Sequence, residues 1–150
     1  MTSIAQTLTS LMPSTEGAPR DRVGVDGGPR VLLRLEGALV LAAATAAYAS
    51  LGGGWVLFAA LFLVPDVSLL GYLAGPRIGA GVYNAGHSYL GPALLAGLGL
   101  ALGASTLWLV ALIWVGHVGF DRMLGYGLKH ATAFADTHLG RIGRAASGRE

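Results

Sequence analysis

Between Val31 and Tyr126 the chain runs as four long apolar stretches separated by short turns. This pattern restricts it to an all-α fold that sits in lipid. The stretches are Val31 to Ala49, Trp55 to Tyr72, Ile78 to Leu102, and Leu107 to about Tyr126, joined by SLGGG, AGPR and GAST. A bilayer core takes about 20 residues of helix and offers nothing to an unpaired backbone group, so each stretch is expected to be one transmembrane helix. Short connections make consecutive helices antiparallel neighbours, which gives an integral membrane four-helix up-down bundle and leaves no room for a second domain. Composition agrees, with 53% hydrophobic and only 12% charged residues, outside the range of soluble domains.

Charge orients the bundle. All ten Lys and Arg residues fall on one side of the four-span arrangement, while the SLGGG and GAST turns carry no charge. The positive-inside rule then puts both termini and the AGPR turn in the cytoplasm, in a multi-pass protein of the inner (plasma) membrane. The formal charge of +2, with no basic stripe interleaved with aromatics, excludes nucleic acid as a partner. Without cysteine there is no disulfide, thiolate ligand or thiol nucleophile.

Residues 1–30 are polar and contain three prolines, with no apolar run of signal-peptide length. They read as a mobile cytoplasmic tail on which Ile4, Leu8, Leu11 and Met12 could form one short interfacial face. The transmembrane domain is then 31–129 and a cytoplasmic C-terminal segment 130–150. The spacings Gly75 to Gly79 and Gly99 to Gly103 suit close helix packing, and no glycine cluster follows a strand as a phosphate-binding loop requires.

Packing does not account for the ionisable residues. At 1.5 Å per residue Asp66 lies about 12 Å from the cytoplasmic end of its span, His87 about 16 Å, His117 about 13 Å, and Glu36 and Asp121 about 8 to 9 Å. A lone carboxylate at such depth costs at least ~2.5 kcal/mol, so these groups are expected to face the bundle interior. Pro65 frees the carbonyl of Leu61 at the level of Asp66. Asn84, His87, Ser88 and Gly91 follow i, i+3, i+4, i+7, a polar stripe along a third helix, and His117 and Asp121 are i, i+4 on the fourth.

These residue types are oxygen and nitrogen ligands that suit a divalent transition metal, zinc, manganese or iron. Asp66, His87, His117 and Asp121 are the expected metal ligands. Glu36 and Asp121 are the candidate catalytic carboxylates. Asn84 and Ser88 are placed to fix imidazole tautomers, and Arg77, Arg122 and Lys129 to bind an anionic headgroup. The leading functional class is a metal-dependent hydrolase acting on a lipid or amphiphile. A proton or ion pathway also uses buried Asp and His, although the outer half of the bundle is apolar. An accessory subunit of a larger membrane complex, or a homo-oligomer, would use the small residues and Trp55, Trp108 and Trp114 for docking. Singly, the polar residues also suit plainer roles, His87 with Ser88 as a hydrogen-bonded pair and Arg122 snorkelling to the headgroups. After the fourth span Gly125 and Gly127 end or bend the helix; Asp136, His138 and Arg141 could fold back beneath the bundle mouth, while the last ten residues read more readily as a solvated tail.

The segments RLEG at 34–37, PDVSLLGYLAGPRIGAGVYNAGHSY at 65–89, GHVGFDRMLGYGLK at 116–129 and THLGRIG at 137–143 resemble a small bacterial membrane family, domain of unknown function 4260. The resemblance covers roughly Val31 to Gly143. It implies a four-helix integral membrane protein and brings no established reaction, so the site residues rest on their own chemistry.

Overall fold

The computed structural model describes residues 24, 25 and 27–142. The interfacial face expected at Ile4 to Met12 lies outside them. The described chain is mostly helical. The first helix, α1 (Gly28–Ser50), starts with Pro29 in its first turn, where a missing N–H costs nothing. It ends in a turn shaped by Tyr48, which is fully buried. The Tyr48 hydroxyl donates to the Gly54 carbonyl at 2.7 Å, and its ring fills the space a side chain at Gly53 would need.

The second apolar stretch is α2 (Trp55–Phe62) followed by a 3-10 helix, Val64–Ala74, with Pro65 in its first turn. Pro65 cannot donate to Leu61 and its ring crowds that carbonyl, which stops α2. Three residues per turn suit the side chains of Val64–Ala74, because positions three apart eclipse. Val67, Leu70 and Leu73 form one outward row, 60%, 63% and 88% exposed, while Gly71 packs under Val82.

The third stretch departs from expectation. It is two helices, α3 (Pro76–Gly86) and α4 (Leu90–Leu102), separated by His87, Ser88 and Tyr89. Pro92 is the reason: it has no N–H for the carbonyl of Ser88, so one helix cannot run through 88–92. The stripe from Asn84 to Gly91 therefore does not exist as one face. The long helices α1 and α5 (Ser105–Leu124), together with the stretch Trp55–Ala74, are each long and apolar enough to cross a membrane, whereas Leu90–Leu102 is shorter.

Helix α5 is central, packing on α1, α4 and α2. Its crossing with α1 depends on two glycines facing each other: a Cβ at Gly119 would stand 2.8 Å from Leu41 N, and one at Gly37 would stand 2.6 Å from Met123 N. In lipid, where burial of apolar surface gives little, such backbone approach is what holds helices together. Of the two spaced glycine pairs, Gly79 and Gly99 serve packing against Tyr72 and Leu107, while Gly75 (φ 104°) and Gly103 (φ 62°) make turns.

Gly125 ends α5 with φ 91°. The chain then folds back under the end of the bundle that carries Arg122 and Lys129. There β1 (Asp136–Thr137) pairs with β2 (Gly140–Arg141), Lys129 bridges to Thr137, and Val25 donates to the His138 carbonyl at 3.0 Å. Thr137 and Leu139 are fully buried.

Candidate metal centre

Two helix breaks, one at Pro65 and one at 87–89, each deliver a polar side chain. Asp66 follows Pro65 in the first turn of the 3-10 helix, and His87 is the residue at which α3 ends. His117 and Asp121, one turn apart on α5, supply the other wall. One ligand atom from each of the four lies within 4.8 Å of those of the others. His117 Nε2 and His87 Nε2 are 3.1 Å apart. His87 Nε2 is 3.3 Å from Asp66 Oδ1 and 3.4 Å from Asp121 Oδ2, and His117 Nε2 is 3.6 Å from Asp66 Oδ1. A tetrahedral ion with bonds of ~2.0–2.1 Å requires ligand atoms about 3.3 Å apart, which these four separations bracket, while the set as a whole spans up to 4.8 Å.

The direction of the protons sharpens the point. His87 Nδ1 lies 3.0 Å from the Tyr83 carbonyl, an acceptor, so Nδ1 carries a proton and it is Nε2 that turns inward. Nδ1 of His117 is buried beside the Phe62 backbone, with no hydrogen-bond partner in good geometry among the described residues. Nε2 of His87 and two carboxylates thus face one another across 3.3 to 3.4 Å. Such a convergence of acceptors repels itself unless a proton or a cation lies between them.

Residues around the four hold them in place. The Tyr83 hydroxyl donates to Asp121 Oδ2 at 3.0 Å, and its ring stacks on that of His87 with centroids 3.8 Å apart. Ser68 Oγ is 3.4 Å from His87 Nδ1, and Phe62 meets the edge of His117. The two histidines are 2% and 1% exposed. The Asp66 side chain is 39% exposed against 13% for Asp121, so the open side of the cluster is at Asp66.

A buried lysine closes the basic end. Lys129 Nζ donates to the Phe134 carbonyl at 2.9 Å and sits over the Phe134 and Tyr83 rings at 3.7 and 5.1 Å. Burial pushes its pKa down, with Asp121 opposing. Asn84 clamps the Lys129 backbone from both sides, donating to its carbonyl at 2.9 Å and accepting from its N–H at 2.7 Å. His138 Nδ1 accepts from Leu128 N–H at 2.8 Å, and burial, with the Arg122 cation 3.2 Å from Nε2, lowers its pKa.

Other expected site residues stand elsewhere. Glu36 is exposed on α1 and outside the cluster. The face of α1 turned to α5 runs through Gly37, Ala44 and Tyr48, and Glu36 is one residue, about 100°, off that line. Ser88 reaches the Ala85 carbonyl at 3.5 Å and Asn84 reaches Lys129, so neither fixes an imidazole. Arg77 is exposed on the first turn of α3, and Arg122 lies 5.6 Å from the Tyr89 ring. Asp136 and His138 lie under the bundle, while of Arg141 only the backbone is described, paired with Asp136. His130 is exposed. Sequence pattern alone does not single out Tyr83 and Ser68, although Tyr83 stands four residues before His87 on a helix, the spacing at which side chains meet.

No curated protein and no solved structure matches the chain. Residues 30–142 match the family described as Domain of unknown function (DUF4260), and because that match spans most of the chain, the protein belongs to this family.

Proposed function

We propose that this is an integral membrane protein that binds a divalent transition metal at Asp66, His87, His117 and Asp121 and hydrolyses a lipid or amphiphile there. The observation that carries the reading is the convergence of these atoms from three separate segments, four of the pairs 3.1 to 3.6 Å apart and the whole set within 4.8 Å. Two imidazoles and two carboxylates suit zinc, manganese or iron, and helix-bundle interiors are common places for such sites. The cation distribution favours four crossings with both termini cytoplasmic, the third crossing being the broken pair α3 and α4. The cluster then lies in the cytoplasmic half of the membrane.

When bound, the ion supplies a Lewis acid and an acidified water. His87, His117 and Asp121 are the buried, braced members and hold it. Asp66 would complete the ligand set on the open side, where its side chain is 39% exposed and a substrate can approach. Tyr83 keeps Asp121 aimed at the centre, and Lys129, beneath Tyr83, supplies positive charge on the headgroup side.

Metal content of tag-free protein in mild detergent, beside a His87→Ala/His117→Ala double variant, tests the site. One transition-metal ion per chain, absent from the variant, is the expected result. No metal in either after reconstitution refutes the reading.

A further inference from the structure

An apolar cavity of about 250 Å3 lies among the segments that carry the cluster, lined by neighbours of the four ligands and by none of the four themselves. Leu61, Val64 and Pro65 of the second stretch form one wall, and Val110, Ile113 and Trp114 of α5 form the other. Ser68 and Gly86 complete it at the end nearest His87, where Ser68 Oγ stands 3.4 Å from His87 Nδ1.

Cavity and cluster share their frame. Pro65 precedes Asp66, Gly86 precedes His87, and Ile113 and Trp114 stand four and three residues before His117 on the same face of α5. From His117 to Val110 is about 10 Å along that helix. Beyond Ser68 the lining is almost wholly apolar, so a polar ligand finds little to bond there.

Access comes from the side. Val64 at the rim is 51% exposed, and no residue of the apolar window in Trp55–Ala74 is buried in the protein, so the rim faces the surface that the apolar spans present to lipid. A molecule reaching both places has a polar group at the four ligands and a hydrocarbon portion beside them.

We propose that this cavity holds the hydrocarbon tail of the amphiphile whose polar group lies on the Asp66, His87, His117 and Asp121 cluster, and that Val64 and Val110 limit the tail it accepts. The proposal rests on the metal-centre reading for the placement of the polar group. At about 30 Å3 for a group the size of a water or methylene, the cavity takes roughly eight methylenes. Trp114 is the fixed wall, since its Nε1 donates to the Gly86 carbonyl at 2.6 Å and its ring occupies the space beside Gly91.

The test uses the full chain in phosphatidylcholine nanodiscs and decanoic acid bearing a photoactivatable diazirine at its far end, with crosslinked peptides read by mass spectrometry. Expected is labelling within 61–68 and 110–114 that unlabelled decanoate displaces. It should fall about tenfold or more when the cavity is filled by Val110→Phe or by Val64→Phe, in line with the cost of overpacking, with metal content unchanged. The two variants come from opposite walls, and Val64 is exposed, so a folding defect in one does not decide the matter. Labelling that decanoate does not displace, that spreads equally to outward positions such as Leu39 and Leu100, or that ignores both Phe variants overturns the proposal. Metal retained without displaceable labelling overturns the cavity assignment alone. Displaceable labelling in a protein that holds no metal supports the cavity and overturns the metal reading.

Discussion

Replacing Tyr83 by Phe removes one oxygen from the wall of the cluster and keeps the ring that stacks on His87 at 3.8 Å. His87 therefore stays oriented, while Asp121 loses the hydroxyl that donates to its Oδ2 at 3.0 Å. A hydrogen bond to a charged group contributes ~1.5–3 kcal/mol, and ~1.4 kcal/mol is a tenfold change in a binding constant. Metal affinity should accordingly fall by roughly ten- to a hundredfold, the range found when an outer partner of a metal ligand is lost. Tyr83→Ala also removes the stacked ring and should weaken binding further. The assay is competition for zinc against a fluorescent chelator at neutral pH in detergent, with circular dichroism to verify the helices. Affinity equal to wild type in both variants, with folding intact, would refute the assignment of Asp121 as a ligand held by Tyr83.

Gly119→Leu puts a side chain where a Cβ already stands 2.8 Å from Leu41 N and 2.9 Å from the Gly37 carbonyl. Those are backbone atoms and cannot swing away, so the thermal midpoint should drop by the equivalent of ~1–3 kcal/mol or more. Gly97→Ala, which meets nothing within 4 Å, is the matched control, and equal midpoints for the two would refute the close crossing. Acid should loosen the segment beneath the bundle. Burial and Arg122 hold the His138 pKa in the folded protein below its ordinary ~6.5. Its contribution to stability is therefore complete above that value and is lost as pH falls toward the folded-state pKa. Exchange of the Leu128 amide, corrected for intrinsic rate, should rise between about pH 7.5 and about pH 5.5, and unchanged protection would count against the His138 hydrogen bond.

Depth along each span is legible in the sequence because helical rise converts residue number into distance. That arithmetic puts Asp66, His87 and His117 about 12 to 16 Å deep and Asp121 about 8 to 9 Å deep, close enough for one ligand atom of each to lie within 4.8 Å of the others. Depth says nothing of azimuth, which is why Glu36, at a suitable height, lies off the face turned to α5. That face can be read from Gly37, Ala44 and Tyr48, spaced seven and four residues apart, a line of small residues ending in an aromatic. The third stretch misleads because its mean hydropathy is continuous while its hydrogen bonding is not. Pro92 announces the break, and a helical stripe drawn through it from Asn84 to Gly91 ignores a missing N–H. Tyr83 is hidden because an aromatic on an apolar helix is usually packing, and only the hydroxyl distance to Asp121 shows otherwise. The fold-back of 126–142 has weak signals, two glycines and scattered polar residues, since its order comes from long-range bonds such as those of Asn84 to Lys129.

The 3-10 winding of Val64–Ala74 changes how far the second stretch can reach. Eleven residues at ~2.0 Å each cover about 22 Å, against about 16 Å wound as α-helix. With α2 and Leu63 before it, a stretch of 20 residues extends to about 35 Å, long enough to cross a ~30 Å core even when tilted. Its length is thus set by winding as well as by residue count. Each turn that tightened or relaxed would move the end of the stretch relative to α5, which has no such slack, and Asp66 sits in the first of those turns.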